Sequence, residues 1–176
     1  MKHTTLLVAL LAGTALGGCA TLSATRSPGV DLQAAWVLLP AVNNTETPQA
    51  GARLDSLTAS LLRVHGVRNL TLYPAARNGD ALFEQADRAA QEKAMVWARE
   101  QQARYAVSGS VDEWRYKVGL DGVPASCITL TVSDLGCGQV IWSGSAARTG
   151  WSREAVSGVA QKVVNELLDQ ALVPAR

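Results

Sequence analysis

Apolar and polar positions along the chain repeat with two periods, one of about 3.6 residues and one of about 2, in the order β, α, β, α, β, β, β, α. Ala35 to Val42 is an apolar run of strand length, and Pro40 puts its end at a sheet edge or a bulge. Asn43-Asn44-Thr45 turns the chain. Thr47 then offers an N-cap with Pro48 at the first helical position, and Leu54, Leu57, Leu61 and Val64 recur at helical spacing until Gly66. Val67 to Tyr73 reads as a second strand. Asp80 caps a longer helix whose apolar stripe is Phe83, Ala86, Ala90, Ala94 and Trp97, ending near Gln102.

The second half changes character. Tyr105, Val107, Gly109 and Val111 alternate with small and polar residues, but beyond Asp112 the apolar phase moves to Trp114, Tyr116 and Val118. A bulge at Asp112 or Glu113 accounts for that slip, because a one-residue shift reverses every facing. Leu120-Asp121-Gly122 is a turn, Cys127 to Ser133 a strand with Ile128, Leu130 and Val132 on one face, and Asp134 to Gln139 a second hairpin turn. Val140 to Ala147 returns as the last strand. Ser152 opens a capping pattern with its acid at Glu154, and Val156, Val159, Val163, Leu167 and Ala171 line a final helix. The predicted fold is α/β (α+β): a mixed sheet of about five strands with two strand-connecting helices, an antiparallel three-stranded meander and a C-terminal helix.

The first residues belong to none of this. Lys2 and His3 precede an apolar stretch from Leu6 to Leu16, which ends in Gly17-Gly18-Cys19. So short a core cannot cross a bilayer that needs about 20 helical residues, and it reads as a cleaved signal peptide over 1–18. Small residues between Leu16 and the cysteine make a lipobox, so Cys19 is expected to carry the lipid anchor. Ala20, where aspartate would retain a lipoprotein in the inner membrane, favours the outer membrane and its periplasmic face. Residues 19–31 are expected to form a lipidated tether, and 32–176 a single periplasmic domain.

Charge and chemistry narrow the field. Removing residues 1–18 takes one of 16 basic residues and none of 15 acids, leaving a balance of zero and no basic surface for nucleic acid. His65 is the one histidine outside the signal, beside the Gly66 helix end, where a proton on it favours the helix dipole. The chain has no Cys-x-x-Cys, metal-spaced histidines, nucleophile elbow or phosphate loop, so no enzyme, cofactor or metal is expected. Cys127 and Cys137 are ten positions apart along a strand and its turn, too far for a straight strand to bridge internally; free thiols or an intersubunit disulfide remain open.

Three segments carry a family resemblance: Ala35 through Thr45 (Ala-Trp-Val-Leu-Leu-Pro-Ala-Val-Asn-Asn-Thr), Thr47-Pro48-Gln49-Ala50-Gly51, and Asp134 through Gly144 ending Val-Ile-Trp-Ser-Gly. They resemble the PelC family, small lipoproteins of Pel exopolysaccharide export, over nearly the whole mature chain. A weaker similarity extends to the periplasmic domains of CsgG and LpoB. The resemblance implies a closed, dodecameric ring on the inner face of the outer membrane. Through it a cationic, partly de-acetylated amino-sugar polymer of the biofilm matrix would pass to an outer-membrane porin such as PelB, with no bond made or broken.

A passage for such a polymer needs acids at its mouth, where many weak contacts concentrate a cation without holding it. Asp112, Glu113, Asp121 and Asp134, on the bulge and hairpin tips, are the candidates. Five tryptophans stand against one phenylalanine, and Trp suits sites where an apolar body ends in a polar tip. Trp36, Trp97 and Trp142 sit in apolar stripes and read as core. Trp114, Tyr116 and Trp151 are the expected membrane or subunit-interface aromatics. The competing function is an LpoB-like regulator of a peptidoglycan synthase, which must reach far from its anchor. The segment from Ala20 to Asp31 spans at most about 40 Å.

Overall fold

The computed structural model describes residues 20–74, 88–118 and 122–173. Among these, seven strands form one sheet: β1 (Ala20–Ala24), β2 (Trp36–Leu38), β3 (Val42–Asn43), β4 (Leu70–Leu72), β5 (Tyr105–Tyr116), β6 (Pro124–Asp134) and β7 (Gln139–Thr149). Three helices pack on it, α1 (Ala50–Val64), α2 (Arg88–Glu100) and α3 (Val156–Leu172). The order across the sheet is β1-β7-β6-β5-β2-β4, with β3 also on β5. The meander β5–β6–β7 is antiparallel as predicted, β2 runs parallel to both β4 and β5, and β1 closes the far edge antiparallel to β7.

The predicted apolar strand from Ala35 to Val42 is split. Its two parts, β2 and β3, lie along the same partner, pairing with Tyr105–Val107 and Ser110–Val111 of β5. The break falls at Pro40, which has no N–H to give to a ladder. Just past it, the Ala41 N–H donates to Asp55 Oδ1 of α1 at 3.0 Å. Helix and broken strand approach so closely that a Cβ on Gly51 would stand 2.7 Å from the Ala41 carbonyl oxygen. Glycine is therefore required at that place in the Thr47–Gly51 segment.

The register of β5 against β6 shifts between Val111 and Glu113, the position the phase slip predicts. The shift keeps Val111 and Trp114 both on the helix-covered face, where both are buried. That face, under α1 and α3, holds the main core of Trp36, Leu38, Val107, Ile128, Leu130, Trp142, Leu167 and their neighbours. Full burial of one such aliphatic side chain contributes about 1.5–3 kcal/mol. A smaller cluster on the opposite face joins Val37, Leu39 and Ala106 to Ala94 and Ala98 of α2. Trp97 meets Tyr73 edge-on with centroids 5.2 Å apart. Asp80, Phe83 and Ala86, expected to cap and line this helix, lie outside the described residues.

Four local expectations are corrected. α1 starts at Ala50 after Gln49 in a left-handed conformation (φ 61°), not at a Thr47 cap. The Thr47 hydroxyl instead donates to the Trp114 carbonyl at 2.6 Å, tying the turn to β5. α3 starts at Val156, because Glu154 is taken by the Trp151 N–H and by Lys162 rather than closing a box with Ser152. Val64 is 74% exposed at the end of α1, and Val67 fills the core in its place. Finally, Ala20–Ala24, expected as tether, pairs residue by residue with Gly144–Arg148. The outer edge of β7 offers free N–H and C=O groups, and Ser27 fixes the return by donating to the Ala171 carbonyl at 2.7 Å.

Candidate functional site

Strand register brings the candidate residues to particular ends of the sheet. Trp114, Ser126, Arg148 and Ala20 form one row across β5, β6, β7 and β1. Ala20, the first described residue, is at the end of that row. Two residues further out, Tyr116 pairs with Pro124, whose carbonyl accepts the Gly150 N–H at 2.8 Å. Trp151 follows directly. Tyr116 is 53% exposed, Trp151 55% exposed, and Val118 projects fully from the hairpin. One end of the sheet thus carries two exposed aromatics, an exposed valine and Ala20, the residue that follows Cys19 in the chain.

Trp114 does not belong with them. Only 4% exposed, it lies in the main core, which corrects its assignment as an interface aromatic. The bulge turns it onto the helix-covered face, where the starts of α1 and α3 enclose it.

The four candidate acids do not form one cluster. Asp112 is exposed on the bulge, its Oδ1 accepting from Asn44 Nδ2 at 2.8 Å and its Oδ2 from the Ser110 hydroxyl at 3.3 Å. Glu113 accepts from Arg115 Nε at 3.0 Å. These two acids flank Cys127, whose thiol pKa is raised chiefly by burial and further by the charges of Asp112 and Glu113. Both cysteines in the described residues are free. Asp134 pairs with Tyr105 at the other end of β5, eight positions from Glu113 and so roughly 25 Å away along the strand. It is buried. Arg104 grips it through Nε at 3.1 Å and Nη2 at 2.8 Å, and the Gly136 N–H donates to it at 2.8 Å. The bond from Arg104 is the main reason its carboxyl stays below the usual carboxylate range. Asp134 therefore stabilises its own turn, a role decided by an arginine thirty residues away. Asp121 lies outside the described residues.

Between the exposed aromatics and the core is a feature the sequence did not disclose, an open groove of about 950 Å³. Gln49 just before α1 and Arg53 within it, Arg115 and Tyr116 from β5, and Ala155 just before α3 and Ser157 within it contribute to its walls. Tyr116 bridges part of it by donating from Oη to the Glu154 carbonyl at 3.2 Å. No periodicity signals such a groove, because it arises where two helices remote in sequence begin side by side. Among the described residues no group of three or more His, Cys, Asp or Glu could hold a metal ion, and no helix is long and apolar enough to cross a membrane.

A scan against family models and a search of curated proteins gave no match. Solved structures do match. The PelC dodecamer of Paraburkholderia phytofirmans is 36% identical, with 87% of this chain and 99% of that chain covered and a TM-score of 0.73. A substituted form of the same dodecamer matches at 35% identity over 85% and 97% of the two chains, with a TM-score of 0.71. The lipoprotein GNA1162 of Neisseria meningitidis shares the fold at 20% identity, over 78% and 96% of the chains, with a TM-score of 0.56.

Proposed function

The chain belongs to the PelC family, and on that premise we propose that it is a lipid-anchored ring subunit of exopolysaccharide export. Its signal peptide is removed, Cys19 carries the lipid, and copies close into a dodecameric ring on the periplasmic face of the outer membrane. The ring guides a cationic, Pel-like amino-sugar polymer to an outer-membrane porin such as PelB.

One observation carries this reading: the antiparallel register of β1 on β7, which brings the chain next to Cys19 to the same end as Tyr116, Val118 and Trp151. Indole and phenol rings favour the headgroup level of a bilayer, so anchor and aromatics would engage one surface together. The acids left for the polymer are Asp112 and Glu113, near this end, together with Asp121, which follows β5 in the sequence. The same register weakens the synthase-regulator reading, since Ala20–Ala24 is bound into the sheet and cannot serve as a long arm.

The test is genetic. Cells lacking the gene should stop releasing the polymer, the intact chain should restore release, and Cys19→Ser should fail to. Asp112→Asn with Glu113→Gln should lower release while the protein remains folded and anchored. Normal release from the deletion strain would refute the proposal.

A further inference from the structure

We propose that the two free edges of the sheet are the surfaces by which one copy of the chain meets the next, β1 of one copy adding as a strand to β4 of its neighbour; this rests on the reading that copies close into a ring. β1 and β4 end the strand order, and neither outer edge has a strand partner among the described residues. Hydrogen-bond alternation fixes which backbone groups are left over. On β1, the Thr25 N–H donates to the Ser143 carbonyl at 2.8 Å, so Thr21 and Ser23 also face β7, while the N–H and C=O groups of Leu22 and Ala24 point outward. On β4, the Asn69 carbonyl accepts from the Trp36 N–H at 2.8 Å and the Tyr73 N–H donates to the Leu38 carbonyl at 2.9 Å, so the groups of Leu70 and Leu72 point outward.

The two edges fit each other. β4 runs parallel to β2 and β5, whereas β1 runs against them, so copies standing the same way up bring these edges together antiparallel. Such a contact joins unlike surfaces head to tail, as closure by rotation demands. Leu22, opposite Ala146, and Leu72, opposite Leu38, both lie on the helix-covered face, 37% and 42% exposed. Setting Leu22 opposite Leu72 and Ala24 opposite Leu70 pairs all four outward residues and brings the two exposed leucines side by side. Edges that must stay single usually carry charge or proline, and Ala-Thr-Leu-Ser-Ala and Leu-Thr-Leu carry neither. Within one copy Leu22 is level with Val111 and Leu72 with Val107. That stagger of about 13 Å along β5 is taken up in a closed ring by tilting the strands from its axis, as in a barrel.

The experiment places cysteines in the full chain, with Cys127→Ala and Cys137→Ser removing the other thiols and Cys19 left to its lipid. In this register Ser23 falls opposite Thr71, a pair that exchanges no hydrogen bonds, with Cα atoms about 4.5 Å apart and within disulfide reach. Ser23→Cys combined with Thr71→Cys should give a reducible ladder of linked copies in the oxidising periplasm, and either substitution alone should give none. Leu22→Pro removes an N–H that faces away from β7, so it should leave the circular-dichroism spectrum unchanged. It should still weaken each contact about ten-fold, read as a fall in oligomer mass after detergent extraction. If the parent is a discrete oligomer, yet the double variant does not link and Leu22→Pro leaves its mass unaltered, the edge proposal is wrong and the ring reading stands. If the parent is a monomer, both fall. Linked dimers from Ser23→Cys alone would mean that β1 meets β1 about a two-fold axis, and would overturn the proposal.

Discussion

Trp142 and Gly144 lie two residues apart on one face of β7, and a Cβ on Gly144 would stand 2.6 Å from two carbons of the Trp142 ring. The indole, 1% exposed, packs down over the glycine and into the core. The Trp142-Ser143-Gly144 segment is therefore a packing unit. Gly144→Ala forces the ring out of place and should cost about 1–3 kcal/mol, read as a lowered midpoint of urea unfolding.

Trp114 and Trp151 should separate cleanly. Trp114→Ala empties a core position and is expected to cost about 3–5 kcal/mol. Trp151→Ala removes an exposed ring and should change stability by no more than about 0.5 kcal/mol. Thermal melts of the two variants decide the matter, and equal melting losses would mean that Trp151 is packed.

Thr47→Val keeps the shape of the side chain but removes the hydroxyl bound to the Trp114 carbonyl. The expected loss is about 1 kcal/mol, with faster amide exchange at the start of α1.

Asp55 makes stability depend on pH. Burial pushes its carboxyl up to about 7, against the smaller opposing effect of the Ala41 N–H. Between about pH 4 and that value the folded chain holds a proton that the unfolded chain has released. This contribution is therefore fully present below about pH 4 and is lost as pH rises through 7. Asp55→Asn should flatten the profile and raise stability at pH 8 by about 1–2 kcal/mol, less than the whole shift converts to because the side chain still meets some water. A denaturation series from pH 4 to pH 8 measures both slopes.

Features that depend on neighbouring residues were legible in the sequence, and those that depend on distant ones were not. The bulge at Asp112 was readable because it shifts the apolar phase within a single strand. The helical stripe of α3 was readable for the same reason, although its first turn was placed too early. β1 was invisible, since all five of its residues are exposed and no alternation marks them; its partner lies more than a hundred residues away. Trp114 was misjudged because what covers it, the starts of two helices, is set by tertiary packing. Asp134 looked like any turn acid until Arg104 came beside it.

Assembly is the central claim, since a subunit that does not associate cannot enclose a polymer. A ring requires two different surfaces on each copy to meet head to tail and close. Light scattering of the mature chain with Cys19→Ser, over a wide concentration range with and without detergent, measures this directly. The account predicts a discrete closed oligomer near the twelve subunits of the related dodecamer. A strict monomer under every condition would contradict it.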